Sequence, residues 1–383
     1  MAALESWSEA LKSGFSDLAH RAKGNVASLD ALRTLAILFV FSGHYAGEFQ
    51  AKPKVVHFPL FYFGWTGVDL FFVLSGFLIG SQLWKQLKAS GGIKIGTFIL
   101  RRGLRIWPLY FSFVAFVALK DLYLHIPVQV WADLFCVSNY FHHQVGGGWS
   151  LSSEEQFYLI APTLILLFVA VRVKPRQMWL LPVAWLAVVV SIRAFLVSQG
   201  TPDSSLSLYA PLSTHSEGLA LGLLFAWFAI FEPQRFRSTR FRVLSSVGML
   251  AVAVGIYAAD RVVFKFLSLA LIFGSLVLLT YSESIQHFFK WHGFYVVSRL
   301  SYGIYLNHFE FLPVAWPFFG KVRQSFGEPG FWLCYLLCFT ISLAISFVTF
   351  QLIEWPFLAL RARLLHRQRN REFAPAPSTS AAL

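Results

Sequence analysis

About ten stretches of this chain are long and apolar enough to cross a lipid bilayer as helices, and that pattern constrains the fold more than any motif. A spanning helix needs about 20 mainly apolar residues. Segments of that kind lie near 31–48, 64–84, 101–119, 152–171, 178–197, 208–229, 243–259, 263–281, 295–316 and 331–353. In hydrocarbon every backbone N–H and C=O must find its partner inside the protein, which favours helices. Of the 383 residues, 56% are hydrophobic and only 13% charged, and the mean hydropathy is +0.59. Soluble domains carry about a quarter charged residues. A soluble chain with 41 Phe and 13 Trp would expose large apolar patches and aggregate. The expected fold is therefore all-α and polytopic, a single membrane domain of about ten transmembrane helices with no internal repeat.

That domain is expected over 28–360. Residues 1–27 form a cytoplasmic N-terminal segment, amphipathic or disordered, and 361–383 a tail that is basic and then disordered. In the first segment Leu4, Trp7, Leu11, Phe15 and Leu18 recur at helical spacing, which suits a helix lying on the membrane surface. Glu5, Glu9, Lys12, Asp17 and Lys23 leave no apolar core for a cleavable signal. The stretch from Glu372 to Leu383, built of Pro, Ser and Ala, predicts disorder.

The net charge of +13 does not point to nucleic acid, because the basic residues punctuate apolar segments and form no basic domain. They do set an orientation. With the N-terminus in the cytoplasm, about 24 of the 32 basic residues fall on the inner side. Lys52, Lys54, Lys120, Arg193, Arg261, Lys265, Lys321 and Arg323 remain outside, and an even number of spans returns the C-terminus to the cytoplasm. Cys136, Cys334 and Cys338 are too few for a disulfide framework. Cys334 and Cys338 share a helix face as small packing side chains.

Ionisable groups within a span are costly unless paired or hydrated, so each is a functional candidate. The first span holds Arg33 and His44. Eleven residues bring them within roughly 20° of eclipsed and about 16 Å apart along the axis. Asp30, three residues before Arg33, can pair with it. Asp69 in the second span has no basic neighbour in sequence and needs a partner from another helix. In RRGLRIWPLY, Arg102 and Arg105 are adjacent on one face, and two forked, permanently charged guanidinium groups make a clamp for phosphates. GGGWSLSSEEQFYL places Trp149 as an interfacial anchor, Ser150 as a capping group, and Glu154 and Glu155 in the opening turns. Capping uses one acid at most, leaving the other free to polarise an imidazole. His215 and Glu217 follow in the sixth span, Tyr302 and His308 in SYGIYLNH, and Glu354 in IEWPF.

In this order, the Arg33–His44 spacing, VDLFFVLSGFLI, RRGLRIWPLY, WSLSSEEQFYL, SYGIYLNH and IEWPF resemble the acyltransferase 3 family of integral membrane O-acyltransferases. The resemblance covers about residues 28–360. It implies a ten-helix core and transfer of an acyl group, usually acetyl, from cytoplasmic acyl-CoA to a hydroxyl of a surface polysaccharide or other glycan or glycolipid. It implies no metal, no nucleic acid, and a location in the bacterial inner (plasma) membrane with both termini cytoplasmic. His44 and Arg33 correspond to the family's essential His and Arg, Arg102 and Arg105 to its paired arginines, and Glu154 and Glu155 to its acidic pair. Family members often carry an Arg two residues before an acid in the sixth span. Here that register reads His215 and Glu217, which departs from the pattern. Many relatives also have a C-terminal esterase-like domain outside the membrane. Here the sequence ends after its last span, so a second transfer step would fall to a separate protein.

The resulting expectation is that Arg102, Arg105 and Arg33 hold acyl-CoA. The thioester threads along the Arg33–His44 face of a shared tunnel, and His44 acts as general base or carries the acyl group covalently. Glu154 or Glu155 orients His44. Asp30, Asp69, Trp149, Ser150, His215, Glu217, Tyr302 and His308 bind substrate or support the site. Two rivals are a secondary transporter, which should show inverted-repeat symmetry, and a structural membrane protein whose polar groups are interhelical glue.

Overall fold

The computed structural model describes residues 13–21, 26–49 and 58–372, with side chains as far as residue 364. Leu4, Trp7, Leu11, Lys12, Lys23, Lys52, Lys54 and the tail from 373 lie outside the described residues. What is described is helical, with no strand among those residues. The chain is an all-α polytopic membrane protein. Its main helices are α1 (Ala27–Glu48), α2 (Gly67–Ser90), α3 (Ile95–Tyr123), α4 (Gly148–Ala170) and α5 (Leu180–Ser198). Then come α6 (Glu217–Phe231), α7 (Thr239–Ala259), α8 (Lys265–Thr280), α9 (His292–Thr349) and α10 (Trp355–Glu372).

Each of the ten predicted stretches coincides with helix, but by length and composition six helical runs among the described residues can cross a bilayer. A seventh is reached if Lys265–Thr280 and Glu283–Phe289, bent by 98° at the break, count as one span. The difference has local reasons. α1 carries Asp30, Arg33 and His44 within its 22 residues. The sixth stretch splits into Leu206–Tyr209, a polar turn, and the 15-residue α6. The ninth and tenth stretches share one continuous helical run, interrupted where Gly327 takes φ 61° and ψ −129°.

The centre of the fold is the contact between α2 and α6. Gly76 and Gly222 allow it: a β-carbon on either would run into the facing backbone, at Leu219 O and Val73 O respectively. Small residues let helix backbones approach closely in lipid, where apolar packing alone gives little selectivity. α1 packs against both halves of α9, and on the second half a ladder of rings (Phe41, Tyr45, Phe49, Phe331, Tyr335) fills the seam.

A buried ion pair ties α5 to α6. Arg193 and Glu217 are both 0% exposed and bonded to each other, so Arg193 is held inside the bundle by a carboxylate that the sequence did not assign to it. Glu217 also caps its own helix by accepting from Ser216 N at 3.2 Å. The short helix at 13–19 is docked on the bundle: Leu18 is buried, Phe15 packs edge-on to Phe347, and Asp17 accepts from Arg299 at 2.5 and 3.0 Å.

Candidate active site

Six helices, α1, α2, α3, α4, α9 and α10, enclose a cavity of about 200 Å³. α1 contributes Arg33, α3 contributes Arg102 and Arg105, and α9 contributes Arg299, so four guanidinium groups face one space. The predicted adjacency of Arg102 and Arg105 on one helix face is what brings both to it. Glu154 of α4 and Glu354, in the wide turn of Phe350–Glu354 before α10, bring carboxylates to the same wall. Tyr158 donates to Glu154 Oε2 at 2.7 Å, and Ser75 Oγ lies 3.4 Å from the Tyr158 oxygen. Arg102 stands over the Tyr158 ring at 5.9 Å, and its Nε is buried without a partner. Arg33 has no ion pair among the described residues. Arg299 is already paired with Asp17, but four cations against two carboxylates still leave a positive excess around the void, which suits an anionic ligand.

The acidic pair divides. Glu154 faces the cavity, while Glu155 accepts from Trp107 Nε1 at 3.0 Å and does not line it. The pairing expected between Asp30 and Arg33 is replaced: Asp30 Oδ2 lies 3.5 Å from Arg21 Nε, and Oδ1 accepts from Ser298 Oγ at 3.2 Å.

The far wall is built by the glycine run. Gly147 adopts φ +71° and opens α4, and the close packing of Phe309 and Tyr305 on Gly146 and Gly147 leaves no room for a β-carbon at either. Tyr305 donates to Gly147 O at 3.2 Å and lies 2.5 Å from Ser150 Oγ. Tyr302, one turn earlier on α9, donates to Ile106 O at 3.1 Å and also lines the cavity.

His44 stands beyond this wall and does not line the cavity. One continuous tunnel past Arg33 and His44 is therefore not what the fold presents. The ring of Phe309 packs on His44 at 4.3 Å, and the imidazole is exposed on its other side. Neither Glu154 nor Glu155 bonds to His44. Its partners are Val40 O, 2.9 Å from Nδ1, and His308 Nε2, 3.1 Å from the same nitrogen. His308 is fully buried, and its own Nδ1 lies 2.9 Å from Ile304 O.

These contacts fix both tautomers. A carbonyl only accepts, so each Nδ1 that faces one must carry a proton. His308 then has a bare Nε2, which accepts from His44 Nδ1–H. The opposite assignment would set lone pairs against two carbonyl oxygens. His44 is left with Nε2 as its free basic atom, held in that state by a neighbouring imidazole where the sequence suggested a carboxylate.

Asp69 does find its partner on another helix. Its Oδ1 is 2.9 Å from His215 Nε2, and His215 Nδ1 is 2.7 Å from Tyr209 O. His215 is stacked between Phe266 at 3.6 Å and Trp149 at 5.6 Å, is 1% exposed, and does not line the arginine cavity. Asp69, Trp149, His215 and Glu217 are thus grouped in a packed polar core next to the cavity wall.

Sequence reasoning missed Arg299 and Tyr158 as cavity residues. Arg299 was read only as an inner-side charge, although it lies two residues before SYGIYLNH and one turn before Tyr302. Tyr158, four residues after Glu154, had the helical spacing that would have paired them.

Comparison with known proteins adds to this geometry. The family model described as an acyltransferase domain matches residues 26–351. The chain is 26% identical to the peptidoglycan O-acetyltransferase OatA of Listeria monocytogenes, over 86% of this chain and 55% of that protein. It is 26% identical over 80% of its length to a Bacillus subtilis protein named provisionally as a peptidoglycan O-acetyltransferase, of which it covers 51%. The chain thus spans about half the length of the curated relatives it matches. No solved structure matches it.

Proposed function

The chain belongs to the acyltransferase 3 family, and on that premise we propose that it is a membrane O-acyltransferase moving an acetyl group from cytoplasmic acyl-CoA to a hydroxyl of a cell-wall or other surface glycan. The observation that carries this reading is the pairing of a four-guanidinium cavity with an imidazole that stands outside it and keeps a free basic nitrogen, the two joined by α1, which supplies Arg33 to one and His44 to the other. The cavity suits a polyanionic donor, and the exposed side of His44 suits an alcohol arriving from the other membrane face. The two relatives named for peptidoglycan favour that polymer as acceptor.

In the proposed step the phosphates of acyl-CoA rest on Arg33, Arg102 and Arg105. The thioester extends to the wall of Tyr305 and Phe309, which turns aside to admit its carbonyl. The acceptor hydroxyl attacks that carbonyl carbon while His44 Nε2 takes the proton. The C–S bond breaks, and the imidazolium returns the proton to the departing thiolate. His308 holds His44 in the required tautomer and spreads the transient charge through the shared Nδ1–H.

The test is release of free CoA from acetyl-CoA by the purified full chain in nanodiscs with a peptidoglycan fragment as acceptor. Wild type should release CoA in step with O-acetyl ester formation. His44→Ala should lower that rate by about 10²–10⁴-fold, the range of a lost general base. Wild-type turnover by a folded His44→Ala protein would remove the assignment.

A further inference from the structure

A second basin lies apart from the cavity, at the amino end of α1, where α7 begins and α8 bends away. Its cationic lining is Arg21, Arg237, Arg242 and Lys290, against one carboxylate, Glu283. Its volume is about 640 Å³. The decisive residue is Arg242. It is only 6% exposed, yet among the described residues it has no carboxylate partner. Its Nη2 reaches only hydroxyls, Ser282 Oγ at 3.0 Å and Thr239 Oγ1 at 3.3 Å. A buried cation held by neutral groups is expensive unless an anion joins it. Thr239 is also the first residue of the 21-residue α7, whose positive dipole end adds to the field there. Arg21, whose Nε is 3.5 Å from Asp30, leaves Nη2 buried and unbonded.

We infer that this basin is a binding site for a phosphate ester, with Arg242 as its buried anchor and Arg237 and Lys290 as its exposed jaws. Guanidinium forks and hydroxyl donors together are the chemistry that recognises a phosphate, and a lone carboxylate on the rim does not cancel the excess. Two sources carry that group on the same face of the membrane: an anionic phospholipid headgroup, and the nucleotide end of acyl-CoA. The second source rests on the function proposed above. It would be reached from the cavity across a thin wall, since Asp30 bridges Arg21 of the basin to Ser298 of the cavity at 3.5 and 3.2 Å. Ala27 and Arg33, which line the two spaces, are only about 9 Å apart along α1.

The experiment compares wild type with Arg237→Gln/Lys290→Gln, both surface positions, and with Arg242→Gln, each as the full chain in phosphatidylcholine nanodiscs. One arm titrates phosphatidylglycerol and counts retained lipid by native mass spectrometry, which needs no turnover. The other measures binding of acetyl-CoA and of its 3′-dephospho form. Loss of retained lipid by about tenfold or more in the double variant identifies the lipid headgroup. A tenfold weaker affinity for acetyl-CoA, together with loss of its preference over the dephospho form, identifies the nucleotide. Unchanged lipid retention and unchanged affinity for both CoA forms in the folded double variant would overturn the site. A protein that fails to turn over acetyl-CoA, yet retains lipid in a manner dependent on Arg237 and Lys290, would sink the proposed function and leave this site standing.

Discussion

At the scale of single residues, the imidazole pair is the feature with most consequence. His308 is buried and bonded at both ring nitrogens, so in the proposed mechanism it acts as a positioning residue for His44. Replacing it with Leu keeps the volume near that of the ring but removes the acceptor for His44 Nδ1–H. The expected result is a drop in kcat of about 10–100-fold with an unchanged KM for acetyl-CoA, the size of effect seen when an outer partner of a functional His is lost. His308→Gln, which restores an acceptor oxygen, should recover part of the rate, and steady-state kinetics in nanodiscs would show both. If Leu and Gln behave alike, the tautomer account fails. The sequence made Arg33, Arg102 and Arg105 legible as one locus, because each is a charge at helical spacing in an apolar segment, but it left Glu154 and Glu155 undivided and set them beside His44. It could not show that His44 meets His308, since 264 residues separate them and pairwise contact between distant helices leaves no periodic trace in a single chain.

At the scale of elements, α5, α6 and α2 are locked by charges that the sequence displayed without their partners. Asp69 and Glu217 were visible as ionisable groups in apolar surroundings, but Arg193 looked like a loop-side charge until α5 placed it against Glu217. Removing one member of such a pair strands the other in a dry interior. Glu217→Ala should therefore cost about 3–5 kcal/mol. The double variant Arg193→Met/Glu217→Leu, which removes both charges together, should recover most of that loss. Thermal unfolding in detergent, followed by tryptophan emission, distinguishes the two. Equal destabilisation by the single and double variants would mean that packing volume, and not the stranded charge, sets the cost. The wall between cavity and His44 is also an element-scale feature. α9 presents Tyr302 and Tyr305 to the cavity, and then, one turn on, His308 and Phe309 to α1. Phe309→Ala should open that wall to water and raise acetyl-CoA hydrolysis in the absence of acceptor, measured as CoA release. No increase would show that Phe309 does not shield the thioester.

At the scale of the whole molecule, hydropathy revealed an all-helical membrane protein directly, and the lysine and arginine pattern suggested which end faces inward. The number of crossings was less legible. A polar first helix, a short sixth and a continuous final run blur the boundary between a span and a helix that merely packs within the bundle. What the sequence could not display at all is that the cations lie on one side of the Tyr305–Phe309 wall and His44 on the other, a separation that the proposed function reads as two compartments with different work. That division is the central claim, and it predicts a clean separation of binding from chemistry. The most direct measurement is calorimetric binding of a thioether analogue of acetyl-CoA, which cannot transfer its acyl group, to wild type, Arg105→Gln and His44→Ala. The account predicts that His44→Ala binds as wild type does, while Arg105→Gln binds about 10–100-fold more weakly, the worth of one charge-assisted hydrogen bond. Wild-type affinity in Arg105→Gln, or lost affinity in His44→Ala, would contradict it.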